Sequence, residues 1–287
     1  MKGTFMPGEF KILERETLAP EIKRLVVSAP LIAERAQVGQ FVIVRVDERG
    51  ERFPLTLIDW DPGGGSITLV FLEVGVSTKK LGALKVGDQI LDLVGPLGNP
   101  AEIKRYGEVA VVGGGVGVAA MYPRVKALKK AGNRVTSIIG ARTSNLIIYE
   151  GEIKEWSDEL HVSTDDGSRG FRGFTSNVLG DLLNRGRRFD FVFAVGPVLM
   201  MRAVTEVTRP YGIKTVASLN PIMVDGTGMC GARRVTVGGK TKFTCVDGPE
   251  FDAHLVDFAE LIARLRTYIS EEQQALRILE VKGLGGS

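Results

Sequence analysis

The chain has 287 residues, 44% of them hydrophobic and 25% charged, which is enough for two domains with a core each and ordinary for a globular protein. A net charge of +3 shows no concentrated basic stripe for nucleic acid, and no run approaches the roughly 20 apolar residues that span a bilayer. Two cysteines exclude a disulfide framework and the opening Met-Lys-Gly-Thr-Phe has no signal-peptide core, so a cytoplasmic enzyme or enzyme subunit is expected, with no nucleic acid and no membrane among its partners.

The first hundred residues read as β. Phe10–Leu13, Lys23–Val27, Phe41–Val46 and Ser66–Phe71 are short and rich in β-branched residues, and turn segments such as Asp47-Glu48-Arg49-Gly50 and Asp61-Pro62-Gly63-Gly64-Gly65 separate them. That spacing predicts a small antiparallel barrel. Arg52-Phe53-Pro54-Leu55-Thr56 is expected on a strand, where a cation, a rigid proline and a hydroxyl can hold an isoalloxazine ring and its phosphates. Gly75-Val76-Ser77-Thr78 opens a predicted helix over Thr78–Leu84 and offers a second phosphate-type site. Each alone reads as an ordinary strand end or N-cap; together, ahead of a nucleotide-binding pattern, they favour flavin.

After Pro100 the pattern changes to strands alternating with helices, which predicts a doubly wound parallel sheet. Glu108–Val112 is a buried-strand run, followed by Gly113-Gly114-Gly115-Val116-Gly117-Val118-Ala119-Ala120 and a helix through Lys129. Within it, Gly115 to Ala120 fits G-x-G-x-x-A, which lets backbone approach a pyrophosphate at a helix N-terminus; the alternative is a tight turn with no ligand. Further strands are expected at Arg134–Ile139, Leu160–Ser163, Phe189–Val195 and Thr215–Leu219. Arg142, just after the strand at Arg134–Ile139, suits a 2′-phosphate and equally the pyrophosphate or solvent. Asp165-Asp166-Gly167 suits ribose hydroxyls or a plain turn, and Gly196-Pro197 stands at a strand's carboxyl end, where ligands bind in such sheets. His161 and His254 read as structural or exposed.

Near the end, Asp225, Cys230, Arg233 and Cys245 occupy the spacing Asp-x4-Cys-x2-Cys-x11-Cys of a four-ligand iron–sulfur loop, with Arg233 in the third ligand position. Thiolate is soft and anionic, whereas guanidinium is cationic and offers donors only. Residues 255–277 are expected to be one amphipathic helix with Leu255, Phe258, Leu261, Ile262, Leu265 and Tyr268 as its packing stripe, and Gly-Leu-Gly-Gly-Ser a flexible tail.

Arg-x-Pro-Leu-Thr, Gly-Pro-Leu-Gly-Asn at 95–99, Gly-Gly-Gly-Val-Gly, Val-Gly-Pro and the Asp/Cys loop together resemble the ferredoxin–NADP reductase superfamily. Within it the chain is most similar to the electron-transfer subunits of dihydroorotate dehydrogenase and to the small subunit of NADH-dependent ferredoxin:NADP oxidoreductase, or sulfide dehydrogenase. Asn220 to Cys230 and Cys245 to Asp252 carry that likeness most specifically.

The resemblance implies a flavin-binding β-barrel at 1–101, an α/β nucleotide-binding domain at 102–220, a [2Fe-2S]-type loop subdomain at 221–250, and a C-terminal helix and tail at 251–287. It implies an FAD subunit that exchanges hydride with NAD(H), with NADP(H) left open by Arg142, and that passes single electrons through a cluster to a larger flavin/iron–sulfur subunit, with ferredoxin reached through that subunit. Flavin contacts would fall on Arg52, Pro54, Leu55, Thr56, Ser77 and Thr78; here Thr56 stands four residues after Arg52, where the superfamily often has three. Nucleotide contacts would fall on Gly114, Gly115, Val116, Gly117, Arg142, Asp166 and Gly196, and cluster ligands on Asp225, Cys230 and Cys245. No side chain is expected as acid, base or nucleophile, since the cofactors carry the chemistry. Three ligands leave one iron a site short, so the cluster is absent, completed from outside or labile; absence is the expectation. A diaphorase using soluble acceptors and a non-conducting regulatory subunit are the rival readings.

Overall fold

Short β-branched runs cut by turns build the amino-terminal half, as expected. In this computed structural model, which describes residues 10–282, they form β1 (Phe10–Ala19), β2 (Ile22–Ser28), α1 (Pro30–Arg35), β3 (Phe41–Arg45), β4 (Phe53–Asp61), β5 (Ser66–Leu72), α2 (Val76–Ala83), β6 (Gln89–Ile90) and β7 (Asp92–Leu97). The opening Met1–Phe5 and the expected tail at 283–287 lie outside the described residues. The strands make a nearly closed antiparallel barrel in the order β6-β1-β2-β5-β4-β3-β7, with Leu25, Val27, Val42, Val44, Leu57, Ile67 and Leu69 buried inside.

One irregularity matters for function. β4 pairs with β3 over Phe53–Thr56 but meets β5 only from Leu57 to Asp61, so Phe53–Thr56 keeps one backbone edge free of any strand. A strand tolerates proline in such a place, and Pro54 sits there.

The second half alternates as the pattern predicts: β8 (Glu108–Gly114), α3 (Gly117–Lys130), β9 (Arg134–Ala141), α4 (Glu150–Glu155), β10 (Glu159–Thr164), β11 (Phe171–Arg172), α5 (Thr175–Asn184), β12 (Phe191–Val195), α6 (Val198–Thr208) and β13 (Lys214–Ser218). These strands are parallel, in the order β11-β10-β9-β8-β12-β13, and the chain reverses its direction of travel across the sheet between β8 and β12. The carboxyl ends of those two strands are the place where an open α/β sheet binds its ligand.

The cysteine loop carries a hairpin, β14 (Arg234–Val237) with β15 (Lys240–Phe243), and then returns to the sheet. β16 (Glu250–Asp252) adds to the edge of β13 antiparallel, which ties the loop's closing end to the nucleotide half. The single helix expected over 255–277 is instead a turn at Ala253–Leu255, α7 (Phe258–Leu265) and α8 (Ile269–Lys282). Asp257 starts a new helix by accepting the Glu260 N–H at 2.9 Å, and the Thr267 hydroxyl donates to the Arg264 carbonyl at 2.8 Å where α7 ends. Phe258 and Leu261 are buried, while Leu255 and Tyr268 are exposed, so the packing stripe is half the length that the spacing suggested.

Barrel and sheet share one core. Ala19, Ile22, Ile58 and Val70 of the barrel pack with Val111, Val118, Met121, Phe191 and Phe193 of the sheet domain. α3 lies against β4, so the glycine turn at its amino end and the free edge of β4 are held in one rigid frame.

Candidate functional site

Between β8 and α3 the chain turns through Gly115 at φ +56°, and the space where a Cβ would stand is open. Gly117 begins α3, whose first turn has no side-chain cap, so its N–H groups and the positive end of the helix dipole face that opening. The turn is as close as backbone allows: a Cβ on Gly117 would stand 2.6 Å from both Gly196 Cα and the Val195 carbonyl oxygen. Gly196 has φ +146°, a conformation that glycine alone adopts without strain. Gly114, Gly115, Val116, Gly117 and Gly196 are thus brought together at the switch point, and the cradle fits a dinucleotide pyrophosphate.

Arg142 leaves the end of β9 exposed, and its carbonyl accepts the Asp166 N–H at 3.3 Å. The Asp166 carboxylate accepts from the Ser168 hydroxyl at 2.7 Å and the Ser168 N–H at 2.9 Å, which hold its pKa below the usual carboxylate range. Ser168 also accepts the Ser144 N–H, so the loops after β9 and β10 form one rim with Arg142 and Asp166 side by side. His254 Nε2 lies 3.0 Å from the Ile213 carbonyl oxygen and His161 Nε2 lies 3.7 Å from Glu159, both away from the glycine turn.

On the barrel side, Arg52 immediately precedes the free edge, half exposed and 3.9 Å from Asp92. Pro54, Leu55 and Thr56 lie along that edge, all partly exposed. α2 comes to the same rim: Ser77 Oγ is 3.5 Å from Glu51, next to Arg52, and Lys80 reaches Asp47 at 2.7 Å. The Thr78 hydroxyl is engaged with Gly75, accepting its N–H and contacting its carbonyl, each at 3.1 Å. A Cβ on Gly75 would meet nothing within 4 Å. An unpaired backbone edge, a cation and an open helix start fit a flavin with its phosphates. Sequence reasoning named these residues as candidates but not the free edge, because pairing partners cannot be read from one strand.

The cysteine loop differs. The Asp225 carboxylate accepts the Thr227 N–H at 3.0 Å and the Cys230 N–H at 2.8 Å, with Cys230 Sγ 3.3 Å away. Burial acts to raise its pKa, yet these bonds hold it low. Cys230 is exposed and Cys245 is buried beside Phe41, Ile43 and Met223, where burial pushes the thiol up. Arg233 is only 3% exposed, its guanidinium 4.8 Å from the Phe41 ring centroid, and burial lowers its pKa to about 9. Among the described residues no three His, Cys, Asp or Glu side chains gather to hold a metal. A [2Fe-2S] cluster needs four ligands, and this donor set supplies three with a cation where the fourth should be. The loop therefore does not fit a complete cluster.

A buried ion pair, Arg124 with Glu250, has no signal in the sequence. Arg124 on α3 holds the Glu250 carboxylate at 2.9 and 3.1 Å and stacks on Phe193 at 4.8 Å. Burial pushes the Glu250 carboxyl up, and Arg124 pulls it back. Nothing in Pro-Arg-Val-Lys marks this arginine as different from a solvated one.

Comparison with known proteins places this geometry. The chain is 49% identical over 263 residues to the dihydroorotate dehydrogenase B (NAD(+)) electron transfer subunit homolog of Thermotoga maritima, covering 92% of this chain and 93% of that one. It belongs to the dihydroorotate dehydrogenase B electron-transfer-subunit family. The Shouchella clausii member of this family is 34% identical, covering 85% and 95% of the two chains. The family's iron–sulfur cluster binding domain matches residues 220–257, which contain Arg233. Among solved structures, a chain of the NADH-dependent reduced ferredoxin-NADP oxidoreductase, studied for flavin-based electron bifurcation, superposes with a TM-score of 0.91 at 47% identity, covering 97% and 99%. An Amycolatopsis cytochrome P450 reductase shares the fold at a TM-score of 0.58 and 21% identity. The resemblance read from the motifs and the barrel-plus-sheet architecture are both borne out. No helix among the described residues of this family member is long and apolar enough to cross a membrane.

Proposed function

We propose that the chain exchanges hydride between NAD(H) and an FAD held on the barrel, and hands the electrons to a larger flavin/iron–sulfur subunit. The observation that carries this reading is the shared core joining β4 to α3, which sets the free strand edge and the glycine cradle at a fixed separation. Bound FAD supplies a hydride acceptor that can release electrons one at a time. The chain's own part is placement. Arg52, Ser77 and the start of α2 bind phosphate, while Pro54, Leu55 and Thr56 line the ring; Thr78 braces the turn below them. Gly114, Gly115, Val116, Gly117 and Gly196 admit the dinucleotide backbone, and Arg142 with Asp166 borders its ribose. NAD(H) is favoured by the name of the Thermotoga relative, and Arg142 gives NADP(H) a measurable second place.

A partner is supported by the exposed apolar side chains Val224, Met229 and Val246 around the cysteine loop, since grouped apolar exposure marks interaction surfaces. Ferredoxin would be reached through that partner. Anaerobic titration of the flavin-loaded chain with stereospecifically deuterated NADH tests the core of the proposal: flavin bleaching with transfer of one label only is expected, and a loaded protein that stays oxidised refutes it. A diaphorase reading is favoured by Arg233, which interrupts the ligand set. Rapid reoxidation by quinones or dyes without any partner would select it, whereas reoxidation only on adding the large subunit selects the relay.

A further inference from the structure

Arg233 is a buried cation with no counter-ion among the described residues. Its side chain is 3% exposed, and Nε and Nη1 have no hydrogen-bond partner. The local backbone explains why it stays inside. Its carbonyl accepts the Thr244 N–H at 3.1 Å, and the next residue, Arg234, pairs with Phe243 at the base of the β14–β15 hairpin. Arg233 and Thr244 thus close the hairpin, and Cys245 follows directly. From there the guanidinium lies 4.8 Å from the centre of Phe41, the ring that shares a core cluster with Cys245, Ile43 and Met223. Gly231 and Ala232 connect it to exposed Cys230, and Arg264 of α7 secures the Ala232 carbonyl at 3.1 Å.

We infer that Arg233 replaces the cluster as the centre of this loop, filling the seat so that neither iron–sulfur nor an outside ligand enters. Three facts converge. Guanidinium has no lone pair to give iron. Its positive charge, stacked on Phe41, repels a ferric ion at short range where water does not screen it. The remaining carboxylate, Asp225, is committed to the Thr227 and Cys230 N–H groups, which shape the loop from within. The stacking on Phe41 gives the cation a partial substitute for the counter-ion it lacks. The inference concerns the loop alone and leaves hydride exchange at the flavin untouched, so each can fail without the other.

The experiment is anaerobic reconstitution of the full chain with ferrous iron and sulfide, followed by desalting, iron and acid-labile sulfide assay, visible spectrum and electron paramagnetic resonance after dithionite. Wild type is expected to keep only trace iron, and Arg233→Cys about two irons and two sulfides per chain with a [2Fe-2S] signal. FAD content and NADH bleaching are read on the same samples and report the hydride reading separately. About two irons in wild type would overturn the inference, as would a folded Arg233→Cys chain that takes none. Should Arg233→Cys fail to fold, wild type decides: no iron and an unchanged thermal midpoint after reconstitution uphold the inference, and a bound cluster sinks it.

Discussion

At the scale of single residues, burial without a partner separates Arg233 from the other arginines of this chain. Replacing a buried, uncompensated charge by an apolar side chain of similar length is often neutral or stabilising. Arg233→Met is therefore expected to leave the thermal midpoint unchanged or raise it by the equivalent of about 1 kcal/mol, checked by thermal unfolding; a marked loss would mean that its contacts outweigh its desolvation. Asp247 presents the opposite case. Its carboxylate accepts the Phe243 N–H at 2.8 Å and Lys242 Nζ at 3.1 Å, and the Phe243 bond, then Lys242, lower its pKa. A depressed carboxyl stabilises the fold above its unfolded pKa and loses that contribution as pH falls through the folded value. Asp247→Asn should cost about 1 kcal/mol at neutral pH, after allowance for its partial exposure, and the cost should shrink in acid as the carboxyl protonates below the ordinary carboxylate range. Denaturant melts at neutral and acid pH measure this, and a pH-independent loss would point to a cause other than ionisation.

At the scale of elements, the approach of α3 to β12 has no room for a methyl group. Gly117→Ala would put Cβ against Gly196 and Val195 backbone, where neither neighbour is a flexible side chain. A loss of about 1–3 kcal/mol follows from overpacking, together with at least tenfold weaker NAD(H) binding and flavin content near wild type. Loss of flavin and stability with unchanged nucleotide affinity would contradict the cradle. Arg124 and Glu250 join α3 to β16 and so link the nucleotide cradle to the closing end of the cysteine loop. Glu250→Ala leaves Arg124 buried and unpaired among aromatic rings, which should cost about 3–5 kcal/mol; the double replacement Arg124→Met with Glu250→Leu should recover most of it. Urea unfolding of the three variants gives the coupling directly, and additive losses would mean the pair does not act as a unit.

Across the whole molecule, the proposed hydride exchange depends on sites on the barrel and on the sheet keeping register. The packing of Ile58 and Val70 against Val118 and Met121 provides it. Ile58→Ala removes fully buried contact and should cost about 2–4 kcal/mol. It should also slow flavin reduction by saturating NADH, with the flavin spectrum unchanged. Stopped-flow reduction distinguishes this from simple destabilisation, because an unaltered rate in the folded fraction would free the domains from the need for a rigid interface.

Much of the site could be read along the chain because its signals are local. Gly113 to Ala120 after a buried strand, Arg52 to Thr56 ahead of a turn, and Asp225, Cys230 and Cys245 at their spacing each express short-range geometry, and their periodicity set the barrel and the parallel sheet. The sequence also determined, by residue type alone, that Arg233 cannot ligate iron. What only the tertiary structure decided depends on surfaces distant in the chain. It splayed β4 from β5 to leave Phe53–Thr56 unpaired, cut the amphipathic run at 255–277 into two helices, added β16 to the sheet, and joined Arg124 to Glu250 across 126 positions. It also turned Arg233 inward onto Phe41 instead of out to water. The reason is common to all five: local spacing states which directions a side chain can take, while burial and pairing are set by which distant surface closes over it.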